Sequence, residues 1–169
     1  MAPPPDPGLL SLYDRALPDV YGYLLSRCGQ RAVAEDLTAE TFLAAVRAEA
    51  AGGEPTTVGW LIGTARHKLV DHWRRREREE RGLQLLEGGA IDEDPWDAEL
   101  DALRTQQVLE HLSAGHRAAL TLRYLDDLPV PQVAALLGRT LHATEALLVR
   151  SRAAFRRGYE LTEQPGGAS

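Results

Sequence analysis

The stretch from Glu87 to Asp101 holds seven acids and no base, and it constrains the fold more than any other part of the chain. It contains Gly88, Gly89 and Pro95, which do not continue a helix, and its like charges repel and extend the backbone. Basic residues concentrate on either side of it. Arg66, Lys68, Arg74, Arg75, Arg76, Arg78 and Arg81 precede it, and Arg139, Arg150, Arg152, Arg156 and Arg157 follow it. Charge segregated in this way predicts two bodies joined by a flexible acidic linker, although 169 residues are also few enough for one domain.

Helical periodicity runs through both halves. Leu, Ala, Arg and Glu dominate, and alternating runs of Val, Ile, Thr and aromatics are absent, so an all-α fold of two small helical domains is expected. The Pro-rich residues 1–8 read as a disordered tail. Tyr13, Leu17, Val20, Tyr21, Leu24 and Cys28 then recur at helical spacing. Pro18 predicts a short helix before it and a second helix with Pro18 in its first turn, ending at Gly29. A third helix is expected from about Val33 to Ala50, burying Leu37, Thr41, Phe42, Ala45 and Val46, and Ala51-Gly52-Gly53-Glu54-Pro55 breaks it. Thr56 or Thr57 can cap a fourth, with the stripe Val58, Leu61, Ile62, Ala65, Leu69 and Trp73. Four such helices enclose one core, predicting a domain over 9–84 and a linker over 85–99.

The second domain, 100–159, is expected to open with a helix from near Trp96 to Leu112. Ser113 then caps a helix carrying Ala118, Leu122 and Leu125, with a turn at Asp126 and Asp127. A short helix with Val133, Ala134 and Leu137, a tight turn at Gly138-Arg139-Thr140, and a longer helix with Thr144, Leu147, Leu148, Ser151 and Phe155 make a helix-turn-helix. Gly138 stands where such a turn needs φ above zero. In that motif His142, Ala143, Glu145, Ala146 and Val149 face the major groove, and Arg150, Arg152, Arg156 and Arg157 reach phosphates. Residues 160–169 read as a disordered tail.

Other function classes recede on the same residues. The lone Cys28 excludes an intramolecular disulfide and a cysteine zinc cluster. The first residues lack a signal-peptide pattern, and no apolar run approaches the roughly 20 residues of a membrane span, so a soluble cytoplasmic protein without direct membrane insertion is expected. Asp36 and Glu40, beside Glu35, lie one turn apart, but no His is near in sequence to complete an acid-base or metal site. His67 and Asp71, with His72, have metal-pair spacing but sit among arginines without a further ligand. The expectation is no metal, no cofactor, no small-molecule substrate and no enzymatic activity. The net charge of −6 argues against a nucleic-acid partner only on average. The basic run from Arg66 to Arg78, on an amphipathic helix with Trp60 and Trp73, suits a phosphate backbone.

Taken together, the segments resemble the extracytoplasmic-function sigma factors, the smallest members of the sigma-70 class of bacterial RNA polymerase specificity subunits. AEDLTAETFLAAVRA, Ala34 to Ala48, is similar to the family's region 2.2. VGWLIGTARHKLVDHWRRR, Val58 to Arg76, is similar to regions 2.3 to 2.4, and Leu112 to Arg157 is similar to region 4. The resemblance covers about residues 9 to 157. It implies that Asp36, Leu37, Glu40 and Phe42 dock on the β′ clamp helices of core RNA polymerase, with the β flap a further contact. It implies that the loop from Ala50 to Thr57 captures a flipped base of the minus-ten element, flanked by Arg66, His67, Lys68, Asp71, Arg74 and Arg75 on a DNA-facing helix. The second domain would read the minus-thirty-five element in duplex form through His142, Ala143, Glu145, Ala146, Val149, Arg150 and Arg152.

An anti-sigma factor is a further partner class that the resemblance allows. The chain departs from the family at His67, where Asn is usual, and at Thr144, Glu145 and Leu147, where Val, Lys and Arg are common. Only twelve residues follow Arg157, so no extra C-terminal domain is expected. The alternative is a helix-turn-helix regulator acting without the core enzyme, which leaves the first domain unexplained. A hydrolase built on Asp36, Glu40, His67 and Asp71 predicts bound metal and turnover. A pure adaptor has no need of two arginine-rich helices.

Overall fold

The computed structural model of the protein describes residues 7–54, 56–81 and 102–163. The expected acidic linker over 85–99 lies outside these residues, as do most of the two expected tails. The described residues form seven α-helices: α1 (Pro7–Cys28), α2 (Arg31–Ala50), α3 (Val58–Arg81), α4 (Ala102–His111), α5 (Ala114–Leu120), α6 (Val130–Leu137) and α7 (Leu141–Glu163), with a π-helical turn, Thr121–Leu125, after α5. No strand occurs among them, as the sequence pattern predicts. The chain divides into two compact units after Asp71, so the last turns of α3, from His72, count with the second unit.

In the first unit, α1 runs unbroken through Pro18, which corrects the expectation of two helices meeting there. An interior proline costs about 3 kcal/mol through a lost hydrogen bond and a clash with the carbonyl four residues back. Asp14 and Pro18 are both exposed, so water can take the freed carbonyl. Leu12, Ala16, Val20, Leu24 and Cys28, at strict four-residue spacing, are all buried. Burying Leu12, Val20 and Leu24 contributes roughly 1.5–3 kcal/mol each, which outweighs the proline penalty. Helix α1 packs on α2, whose Ala34, Leu37, Thr38, Thr41, Phe42 and Ala45 are buried. Tyr13 meets Phe42 edge-on at 4.6 Å. Leu61, Ala65, Leu69 and Val70 add the buried side of α3.

In the second unit, α7 packs against α4, α5 and α6 around Val108, Leu109, Leu120 and Phe155. A Cβ on Gly158 of α7 would stand 2.8 Å from Val108 Cγ1, a measure of how closely α4 and α7 approach. Helix α7 continues to Glu163, beyond the expected end of order at 159. Its last turns are anchored from α4: the Arg104 guanidinium stacks on the Tyr159 ring at 3.5 Å and donates to Thr162 Oγ1 at 2.6 Å and to the Tyr159 carbonyl. At the other end of the chain, α1 starts at Pro7, within the stretch expected to be a tail. The turn expected at Asp126 and Asp127 is present. The Asp126 N–H reaches the Thr121 carbonyl at 2.9 Å, the five-residue step of a π turn, and Asp127 takes φ 53°, a conformation Asp tolerates better than most residues.

Gly138 ends α6 at φ 65°. The Arg139 N–H bonds the Ala134 carbonyl at 3.0 Å and the Gly138 N–H bonds that of Ala135 at 3.3 Å, a Schellman closure that satisfies the last carbonyls of the helix. Gly22, in the middle of α1, has nothing within 4 Å of its would-be Cβ. The two glycines therefore predict opposite outcomes in urea unfolding. Gly138→Ala is expected to lose about 1–2 kcal/mol to left-handed strain, whereas Gly22→Ala gains roughly 0.5–1 kcal/mol. Two changes of the same sign would show that backbone conformation does not decide them.

Candidate nucleic-acid interface and docking face

On α2, Asp36, Glu40, Leu43 and Arg47 are exposed and follow one another at helical spacing, so they form one stripe on the surface. Leu37 and Phe42, expected to share in docking, are buried at 3% and 6% exposure. They support this face from beneath and offer a partner no surface. The physical reason is rotational: each step along a helix turns about 100°, so the residue after Asp36 already points into the core. Val46, expected in the core, is 49% exposed, and Leu43 is 47% exposed. Together they put an apolar patch beside the two carboxylates. The sequence carried a signal for Leu43, which falls outside the buried stripe of α2.

The loop after α2 is held by its own backbone. Gly52, at φ 79°, and Gly53 close a second Schellman turn, their N–H groups bonding the Glu49 and Ala48 carbonyls at 3.0 Å. Thr57 caps α3, as expected for one of the two threonines: its Oγ1 accepts from the Trp60 N–H at 3.1 Å. Trp60 stands 39% exposed in the first turn of α3, next to that loop. Further along α3, His67, Asp71, Arg74 and Arg75 are exposed, while Arg66 and Lys68 are half-buried. His67, Asp71, Arg74 and Arg78 again share one stripe by spacing.

The helix-turn-helix is α6, the Gly138 turn and α7. Thr140 starts α7, its Oγ1 accepting from the Ala143 N–H at 3.1 Å, and Ser113 caps α5 in the same way through the His116 N–H at 3.4 Å. His142, Glu145 and Arg150 are exposed on α7, and Ala143, Ala146, Val149 and Arg152 are half-buried. Arg152 Nη1 donates to the Tyr124 hydroxyl at 3.3 Å, which ties its side chain to the π-helical turn after α5. Thr144 and Leu147, two of the departures from the family pattern, are 0% and 4% exposed. They are core residues, whereas the departures Glu145 and His67 are exposed.

Arg139, in the turn, is paired at 2.7 Å with Glu77 of α3, a partnership across 62 residues that no local pattern announces. Among the described residues no group of three or more His, Cys, Asp or Glu side chains is placed to hold a metal ion. No helix among them is long and apolar enough to cross a membrane.

Family models match the chain in two places, sigma-70 region 2 over residues 12–79 and sigma-70 region 4 over residues 102–155. Similar proteins include the ECF RNA polymerase sigma factor BldN of Streptomyces coelicolor, 33% identical over 150 residues, covering 83% of this chain and 56% of that protein. Another is the ECF RNA polymerase sigma factor SigL of Mycobacterium tuberculosis, 31% identical over 134 residues, covering 76% of this chain and 75% of SigL. SigM of Bacillus subtilis is 28% identical over 83% of this chain and 88% of its own length. The chain thus spans little more than half of BldN and most of the other two. Among solved structures, the sigma factor RpoE of Bartonella quintana, determined in complex with the anti-sigma factor NepR, superposes with a TM-score of 0.54 at 19% identity over 90% of this chain and 96% of that one, a likeness of fold.

Proposed function

We propose a division of labour from one premise: the chain belongs to the sigma-70 family, as a sigma factor of the extracytoplasmic-function class. It binds core RNA polymerase in the cytoplasm, engages a minus-ten and a minus-thirty-five promoter element, and promotes duplex opening and initiation. The polymerase supplies all the chemistry; this subunit supplies specificity and turns over no substrate. The observation that carries the reading is the order of two different matches, region 2 and then region 4, each of which includes a basic helix with exposed polar side chains. A helix-turn-helix regulator acting without core enzyme leaves residues 12–79 with no role.

In this reading the functional halves are 9–84 and 100–159. Asp36 and Glu40 on α2 dock on the β′ clamp helices, with Leu43 and Val46 as apolar neighbours. The loop from Ala50 to Thr57 and the exposed α3 side chains His67, Asp71, Arg74 and Arg75 hold the minus-ten strand, where extruding one base costs a few kcal/mol that a pocket and a basic surface must offset. Helix α7 lies in the major groove at the minus-thirty-five element, with the β flap beneath its unit.

In vitro transcription with core polymerase on a genomic promoter library tests the whole reading. Initiation at a shared pair of motifs is expected, and initiation indifferent to added protein would sink it. The same assay separates two residues of α7. Glu145, near the helix start, can accept a hydrogen bond from cytosine N4, whereas Arg150, a turn later, is placed for phosphate. Glu145→Ala is expected to relax preference at one minus-thirty-five position, losing roughly 1–3 kcal/mol of discrimination. Arg150→Ala should weaken all sequences alike and lower the salt slope by about one unit. An unchanged sequence profile for Glu145→Ala would assign that carboxylate to the helix dipole instead.

A further inference from the structure

The π-helical turn Thr121–Leu125 is closed by bonds that an α-helix does not make. The Asp126 N–H passes over the Leu122 carbonyl to that of Thr121 at 2.9 Å, and the Leu122 carbonyl accepts instead from the Leu128 N–H at 3.1 Å. Arg123 Nη1 then ties down the Leu128 carbonyl at 3.2 Å. The geometry has a cost, since Thr121 Oγ1 is buried without a hydrogen-bond partner, and π turns that persist in spite of such costs are frequent at functional sites. The turn carries Tyr124. Its ring packs on the cluster of Val108, Leu109, Leu120 and Phe155, with the Arg123 guanidinium 5.8 Å from the ring centre. Core and neighbour hold the ring. Its hydroxyl accepts from Arg152 Nη1 of α7 at 3.3 Å, across 28 residues of chain, and Arg152 is half-buried where Arg150, two residues before it, is exposed.

We propose that Tyr124 is a positioning residue for promoter binding: its hydroxyl sets the Arg152 guanidinium in the orientation that takes a phosphate flanking the minus-thirty-five element. This rests on the reading of α7 as the helix that enters that groove. An arginine side chain has many rotamers, and ordering it in a complex costs affinity that a contact already present in the protein reduces. Tyr124 is such a contact. Because the acceptor is neutral, the hydrogen bond orients the guanidinium without cancelling its charge, and it engages one of five N–H donors, so Tyr124 and a phosphate can be held together. The ring is fixed by the core of the unit, so the direction it gives Arg152 is tied to the fold and not to the mobility of a surface chain.

The test uses holoenzyme reconstituted with the full-length chain and a labelled promoter that it selects, with affinity read by fluorescence anisotropy at several salt concentrations. Y124F keeps the ring and removes the hydroxyl. It is expected to weaken binding about threefold, equally for every minus-thirty-five base substitution and with the salt slope unchanged, because Arg152 still neutralises its phosphate. R152A is expected to weaken binding roughly tenfold and to lower the salt slope by about one unit. The decisive measurement is the double-mutant cycle. Y124F should have no further effect in the R152A background and its full effect in the R150A background. A Y124F loss that persists in R152A assigns the hydroxyl to the stability of the fold and overturns the proposal, as does wild-type affinity for either Y124F or R152A on a promoter that depends on its minus-thirty-five element. A wild-type holoenzyme indifferent to that element overturns the reading of α7 itself, a different failure.

Discussion

Phe155→Ala is expected to unfold the second unit near 37 °C while α1 and α2 remain helical. Phe155 is fully buried, clustered with Val108, Leu109 and Leu120, and its ring stacks on Tyr159 at 5.7 Å. Truncating a buried Phe costs about 3–5 kcal/mol in lost transfer energy and residual cavity. A body the size of residues 102–163 has only about 3–9 kcal/mol of stability in total, so the loss consumes most or all of it. The closeness of Gly158 to Val108 leaves little room for α4 and α7 to collapse into the void. Melting followed by circular dichroism, with hydrogen exchange to locate the change, should show one cooperative transition displaced far down in temperature and protection retained in α1 and α2. A destabilisation below about 1.5 kcal/mol would mean that the cavity refills and that Phe155 is not the keystone of this core. Under the proposed function, the expected counterpart is loss of minus-thirty-five dependence with association to core enzyme retained.

The helix-turn-helix was the most legible part of the chain, because all of its determinants are local. Gly138 and Thr140 act within four residues of themselves, and the stripes Val133, Ala134, Leu137 and Thr144, Leu147, Leu148, Ser151, Phe155 are buried throughout as helical spacing requires. Where sequence reasoning fell short, the deciding term was tertiary. Pro18 is a breaker by propensity, yet α1 keeps its helix because the buried stripe outweighs one missing hydrogen bond. The end of α7 is ordered by Arg104, 55 residues away from Tyr159, and no window of sequence contains both. Glu77 reads as one acid in a basic run, and its pairing with Arg139 is visible only in three dimensions. The candidate docking face on α2 is half legible. Periodicity puts Leu37 and Phe42 in the core, where they lie, while the resemblance makes them contacts; Val46 is the residue that hydrophobicity missorts, since an apolar residue serves equally as core or as contact and only its azimuth on the helix decides.

That azimuth leads to the charge reversal of α2. Asp36→Arg together with Glu40→Arg is expected to lower affinity for core polymerase by about 3–5 kcal/mol, roughly a hundredfold to several thousandfold in Kd. Both side chains are exposed, one turn apart on the stripe that also carries Leu43, so reversal places two positive charges where the proposed contact needs two negative ones. Like charges facing each other across an interface cost several kcal/mol, more than simple truncation, because attraction is replaced by repulsion. The helix itself should tolerate the change. Arg has helix propensity close to that of Glu, and neither position contributes to the α1–α2 core, so helicity and melting temperature are expected to stay within the small range usual for surface substitutions. Leu43→Ala supplies the apolar counterpart. It removes an exposed side chain without altering charge, so a smaller loss of about 1 kcal/mol or more is expected only if this face is desolvated in the complex. Titration of labelled core enzyme with each variant, alongside circular dichroism, separates docking from folding. Undiminished binding by the double reversal would remove α2 from the core-binding surface. A loss confined to low salt would place the two carboxylates at a solvated rim, steering encounter without anchoring the complex.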